Sequence, residues 1–417
     1  MVAQSNFSSP TCHNIGIISI MVLNHDRRLR LLRLLLVVLL CCYHNSIRLR
    51  HRLTRPAIVS PRESPWQKLY KYADATSFLH MTGLTRECFH LLLADLFDLQ
   101  VIARLRGHRS GRPRSLGHEG YLGLLLFYFG STMSYKHLCL IFGITPSVCS
   151  RVIREMLRLV VRRLSDHPIA RVRFPDRPKM QQFAEMVQRR APIVSDVIGF
   201  MDGVSIPSEC TDERVQQNAF YCGYDCDTMV NNVFAYGPDG KVFFAAINFP
   251  GSWADGALTA RFFPALKRKI GDYKICVDQG FPRSGDAYGT LVGPVCRRAA
   301  RRLHRDVRDY LLRISNAHTS LRQASEWGMR GLQGTFPRWK KRLPSDHYQR
   351  RLIIEAIAIV LVHNYRTEMV GFNQINTVFD PEYVRIQNLN GYDRIAQYYF
   401  RPGDYNTDDE ESDRDDD

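Results

Sequence analysis

Val197-Ile198-Gly199-Phe200-Met201-Asp202-Gly203 is a short apolar run that ends on a carboxylate and a glycine. A second run downstream, Tyr273-Lys274-Ile275-Cys276-Val277, ends in the same way at Asp278-Gln279-Gly280. Short apolar runs bounded by turn residues read as buried strands. Sheets that alternate with helices place their chemistry at the carboxyl ends of strands, which is where Asp202 and Asp278 are expected. Two acids fixed on strand ends, joined by a third from elsewhere, make an all-oxygen cradle suited to Mg²⁺.

Around these two runs the pattern extends. Strands are expected at 197–201, 229–236, 241–248 and 273–277, the middle two joined by the turn Gly237-Pro238-Asp239-Gly240. Helical spacing follows at 257–270, at 297–314, from 320 to 331 and, as an apolar packing helix, at 352–365. Three strands, a helix, a strand and further helices match a ribonuclease-H-like α/β arrangement, a mixed sheet flanked by helices.

Upstream the chain reads as all-α. Phe89, Leu91, Leu92, Leu93, Leu96 and Phe97 give one apolar face. A link over 104–114 follows, with five arginines and two glycines in its eleven residues. Such a segment holds no core; it serves as a solvated linker or as an arm along phosphates. Apolar helices at 121–129 and 135–142, then the turn Gly143-Ile144-Thr145 and a helix from Pro146, form a candidate helix-turn-helix. Thr145 suits an N-cap, and Pro146 suits the first helical position, where its missing N–H costs nothing. Ser147, Ser150, Arg151 and Arg154 lie on the polar face of that helix, as major-groove docking requires. A plain helical hairpin with a basic face is the alternative.

The expected organisation is therefore a basic, disordered leader with no sustained pattern (1–65), a helical region (66–190), an α/β domain (195–370) and an extension with an acidic tail (371–417). The 417 residues carry a net charge of +16, with 45% hydrophobic and 24% charged residues. The last ten positions, 408–417, hold eight acids and one arginine, a net of −7, so the remainder carries +23. Blocks of like charge are typically disordered, and an excess of this size on the rest favours phosphate backbones as partners. The 11 cysteines show no CxxC pair. Cys210, Cys222 and Cys226 lack a fourth ligand at zinc spacing, so free thiols in a reducing compartment are expected. The apolar run 34–43, bordered by Arg27, Arg28, Arg30 and Arg33, is shorter than the roughly 20 residues of a bilayer helix. No membrane association is expected.

Two further acids complete a constellation. Asp255 follows Pro250-Gly251-Ser252-Trp253-Ala254, and Glu326 lies in Leu321-Arg322-Gln323-Ala324-Ser325-Glu326-Trp327. Taken singly, Asp255 reads as a helix cap and Glu326 as a surface partner of Arg322 or Arg330. In order, however, Phe200-Met201-Asp202-Gly203, Pro250-Gly251-Ser252 ahead of Asp255, Asp278 before Phe281-Pro282, and a glutamate among arginines resemble the DDE nuclease domain of PIF/Harbinger transposases. Gly111-Arg112-Pro113-Arg114 and Phe142-Gly143-Ile144-Thr145 extend the resemblance upstream. Ala254 stands where that family often has histidine, and Gln279 where a smaller residue is usual.

The resemblance implies a divalent-metal-dependent DNA endonuclease or transposase acting in the nucleus. Asp202, Asp278 and Glu326 would be catalytic and, with Asp255 as a further contact or a cap, would bind metal. Two Mg²⁺ (or Mn²⁺) ions about 3.5–4 Å apart would activate water and stabilise the leaving 3′ oxygen. DNA, a Myb/SANT-like partner protein and a homo-oligomer are the implied associations. His304 and His318 are candidate bases but read as solvated. The alternatives are an inactive DNA-binding protein on the same fold and a ribonuclease-like nuclease without transposition.

Overall fold

A computed structural model describes residues 27–44, 53, 55–97, 115–209, 213–295, 304–342, 350–371 and 373–380. The basic link at 104–114, Cys210, much of the leader and the acidic tail at 408–417 lie outside the described residues. Contacts divide the chain into two compact units, Met1–Val59 and Ser60–Asp417. In the first, helix α1 spans residues 27–44. The expected leader has no sustained pattern, yet this stretch is rich in leucine and arginine, which have high helix propensity. No helix among the described residues is long and apolar enough to cross a membrane.

The second unit begins with α2 (Pro65–Tyr72), α3 (Ala75–Thr82) and α4 (Arg86–Leu96). Ser64, Asp74 and Thr85 cap them by accepting bonds from the backbone N–H groups of Gln67, Ser77 and Cys88. Helix α5 (His118–Phe129) is buried from Gly120 through Phe129, as a helix apolar on every side must be. Trp66 stacks on Phe142 at 5.2 Å and lies over Gly123, where a Cβ has no room. Leu91, expected on the apolar face of α4, is exposed.

Helices α6 (Tyr135–Phe142) and α7 (Pro146–Leu164) meet at Gly143, whose φ of 66° is left-handed. Thr145 occupies the N-cap of α7, but its hydroxyl makes no capping bond. Helix α7 buries Cys149, Val152, Ile153, Met156, Leu157, Val160 and Leu164. Helix α8 (Arg177–Arg190) then leads into the sheet.

The strands are β1 (Val197–Pro207), β2 (Tyr221–Cys222), β3 (Asp227–Tyr236), β4 (Val242–Pro250), β5 (Lys274–Val277) and β6 (Leu291–Val292). A short helix α9 (Arg214–Phe220) precedes β2, and α10 (Asp255–Ile270) joins β4 to β5. β1 and β4 both pair antiparallel with β3, while β5 runs parallel to β1 and β6 parallel to β5. This mixed sheet, flanked by helices, is compatible with a ribonuclease-H-like fold.

Two expectations on the elements need correction. β1 does not stop at Asp202 but continues to Pro207, because β3 goes on pairing with it as far as Met229. The two helices expected at 297–314 and 320–331 are a single helix, α11 (Arg305–Thr335). The polar stretch between them, 315–320, contains neither glycine nor proline, so nothing stops the helix there. Helix α12 (Arg350–Val370) and the short α13 (Gln374–Phe379) complete the described fold.

Stretches 66–190 and 195–370 pack into one unit. Helix α7 lies against α12, and Phe234 of β3 stacks on Trp339 at 5.5 Å. Glu355, fully buried on α12, accepts a hydrogen bond from the Tyr128 hydroxyl at 2.9 Å and pairs with Arg338 at 3.3 Å. The Arg338 guanidinium also covers the Tyr128 ring at 4.4 Å.

Candidate active site

The last paired residues of β1 and β5 are Met201 and Val277. Asp202 and Asp278 come next, side by side on parallel strands about 4.8 Å apart. Beyond this point β5 ends and β1 goes on, so the two acids stand at a step in the sheet edge. The Gly203 N–H donates to Asp202 Oδ1 at 2.8 Å. Burial pushes the Asp202 carboxyl up to about 6; the Gly203 N–H opposes this, Asp278 and Glu326 add to it, and Arg322 pulls it down.

Asp255 arrives from the other side. After β4 the chain turns through Gly251-Ser252-Trp253 and enters α10, whose N-cap is Ala254. Asp255 is thus the first residue of the helix and not its cap. Its carboxylate lies against the strand ends: a Cβ on Gly280 would collide with Asp255 Oδ2, and one on Gly203 would sit 3.7 Å from Oδ1. Burial raises the Asp255 pKa, and the Asp278 charge raises it further.

The turn that carries Asp255 is held by Asn231, nearly buried on β3. Its Nδ2 donates to the carbonyl of Trp253 at 3.0 Å and to those of Pro250 and Gly251 at 3.4 and 3.5 Å. Its Oδ1 accepts from the Ser205 hydroxyl of β1 at 2.7 Å. Gly251 itself passes over the carbonyl oxygens of Met229 and Phe220 too closely for any side chain, which gives the Pro-Gly-Ser turn its physical reason.

Glu326 is delivered by α11. The helix comes so near β3 at Gly328 that a Cβ there would lie 2.8 Å from the Tyr236 ring. One turn before Glu326, Arg322 bridges two elements. Its Nη2 lies 2.6 Å from Glu326 Oε1, and its Nε 3.7 Å from Asp278 Oδ1. Four carboxylates from β1, α10, β5 and α11 and one guanidinium therefore form a single electrostatic cluster. Asn231 and Arg322 are the members that the sequence reading missed. The two adjacent asparagines inside a strand pattern were the available signal for Asn231; Arg322 reads as a surface partner because its reach to Asp278 is set by the fold.

The histidines fall elsewhere. His304 caps α11 beside Asp306, 22 positions before Glu326 on a helix rising about 1.5 Å per residue. His318 is buried instead of solvated, and burial lowers its pKa. Cys222 and Cys226 are free thiols. On α7, Ser147, Arg151 and Arg154 are exposed and Ser150 is partly buried.

A hard divalent cation fits the donor set, which is all carboxylate oxygen, and the two glycines beside Asp255 leave that set room. Among the described residues, no three ligating side chains are yet drawn around one point; Arg322 engages two of them.

A mixed sheet with acids brought together from β1, the end of β5 and two helices defines an α/β protein with a carboxylate cluster. The family model described as DDE superfamily endonuclease matches residues 201–364, a stretch that holds all four acids. Comparison with curated proteins and with solved structures gave no match.

Proposed function

We propose that this protein is a Harbinger-type DDE transposase, or a nuclease derived from one, that cuts DNA phosphodiester bonds with two divalent cations, probe metals Mg²⁺ and Mn²⁺. The observation that carries the reading is the gathering of Asp202, Asp255, Asp278 and Glu326 within the segment that matches the endonuclease family. Asp202, Asp278 and Glu326 would hold the cations, with Asp255 as a fourth contact. When bound, the cations supply an activated water and stabilise the leaving 3′ oxygen. The chain's own residues fix that chemistry in place: β1 and β5 set the spacing of two acids, Asn231 holds the turn of the third, and Gly328 seats the helix of the fourth.

The N-terminal half of α7, with Ser147, Ser150, Arg151 and Arg154, docks on DNA, and the basic surface holds the backbone. The protein acts in the nucleus, as a homo-oligomer, together with a Myb/SANT-like DNA-binding protein. The test is cleavage of duplexes bearing terminal inverted repeats against random duplexes. Mg²⁺ or Mn²⁺ should support cutting and Ca²⁺ should not. Asp202→Ala, Asp278→Ala and Glu326→Ala should each abolish it while DNA binding survives. Undiminished cutting in excess EDTA would show that the carboxylates are the wrong centre. DNA binding without any cutting would leave an inactive DNA-binding protein on the same fold.

A further inference from the structure

Arg322 does more than an ordinary helix-surface pair requires. An i,i+4 ion pair such as Arg322–Glu326 supports its own helix by tenths of a kcal/mol and needs no acid from another element. Arg322 also reaches Asp278 on β5, with Nε 3.7 Å from Oδ1. Its side chain is 26% exposed, against 45% for Asp278 and 43% for Glu326, so it is the inner member of the group. The other arginines nearby are differently placed. Arg283 donates to the Pro294 carbonyl, and Arg330 points outward one turn beyond Glu326.

We propose that Arg322 is the built-in counter-ion of the acid cradle, holding Asp278 and Glu326 until a divalent cation takes them, after which its guanidinium is free to bind a DNA phosphate. This rests on the carboxylates being the metal site proposed above. A guanidinium keeps its charge at any working pH, so Arg322, set against Oδ1 of Asp278 and Oε1 of Glu326, opposes a cation drawn to the same two carboxylates. Its planar fork matches phosphate as well as carboxylate. Metal and Arg322 compete for the same ligands, and the side chain therefore lowers metal affinity in the absence of DNA.

The experiment is titration of the EDTA-stripped full chain with Mn²⁺ in the absence of DNA, following free Mn²⁺ by paramagnetic resonance. Arg322→Gln should bind Mn²⁺ on the order of tenfold more tightly than the wild type, with Arg322→Lys between them, while Asp202→Asn loses binding. Circular dichroism in EDTA checks folding; should the glutamine variant not fold, the lysine variant alone must show the increase. Unchanged or weaker Mn²⁺ binding in folded Arg322 variants, with Asp202→Asn still defective, overturns the counter-ion role and leaves the metal site standing. Mn²⁺ binding that is indifferent to Asp202→Asn overturns the cradle and the counter-ion together. In Ca²⁺, Arg322→Gln should hold a short duplex about fivefold more weakly than the wild type; equal affinity overturns the phosphate contact.

Discussion

Burial lifts the Asp202 carboxyl from its ordinary 3.8 to about 6, so the folded chain holds this proton more tightly than the unfolded chain does. The sign of the linkage follows. The stabilising contribution of the group is complete below about pH 4 and is lost as pH rises through 6. At pH 7.5, without metal, the ionised carboxylate costs the fold up to about 3 kcal/mol, from a shift of roughly two pH units. Asp202→Asn should therefore raise the melting temperature in EDTA at pH 7.5 and converge on the wild type near pH 4, while cutting is abolished. Equal melting temperatures at both pH values would mean that the carboxyl is not desolvated. The same carboxyl must ionise to ligate a cation, so metal affinity should weaken as pH falls below about 6. Sequence alone places Asp202 and Asp278 at the ends of short apolar runs; the structure keeps Asp278 just past β5 but carries β1 on through Asp202 to Pro207. The sequence does not disclose that the acids sit shoulder to shoulder, because that depends on the parallel register Met201–Val277.

Elements with strong local signals were legible. The β3–β4 hairpin is announced by Gly237-Pro238-Asp239-Gly240, and β5 by the apolar Ile275-Cys276-Val277 closed by Asp278. The full extent of β1 was not, because its last residues are held by pairing with a distant strand rather than by their own pattern. The unbroken course of α11 was hidden by polar residues that a long amphipathic helix accommodates on its face. Least legible were the contacts that aim the acids, and Asn231 is the clearest case. Its amide ties the turn before Asp255 to β3, and its carbonyl ties it to Ser205. Asn231→Ala removes both bonds and leaves carbonyls of the turn without their donor. The expected cost is about 1–3 kcal/mol, with a fall in Mg²⁺-dependent cutting larger than the fall in DNA affinity. Wild-type cutting in a variant that melts lower would make Asn231 a purely structural residue.

At the scale of the whole molecule, a buried polar group of Tyr128, Arg338 and Glu355 ties the N-terminal helices to α12. Arg338 is 8% exposed and Glu355 is fully buried, so Arg338→Ala leaves a carboxylate without its cation inside the core. Such a break costs about 3–5 kcal/mol. Thermal unfolding should remain a single transition at lower temperature, and two separated transitions would show that the parts it ties unfold independently. The charge of +23 outside the acidic tail bears on how DNA is held. Exposed Arg151 and Arg154 on α7 should each contribute about one unit to the salt slope of DNA binding; a slope unchanged in the double alanine variant would leave α7 a structural hairpin. Asparagine and glutamine, which read adenine bidentately, are absent from that helix between Pro146 and Leu164. Its arginines can read guanine, but contacts of this kind go mostly to phosphate. Grip on the backbone without readout of the bases gives affinity with little preference; under the proposed function, a separate DNA-binding protein would bring the chain to the inverted-repeat ends. The pure chain should therefore bind inverted-repeat ends and random duplex with similar affinity in a competition assay. Preference of the unaided chain for the ends by several hundredfold, about 3–4 kcal/mol, would make the partner dispensable and move sequence recognition into this molecule.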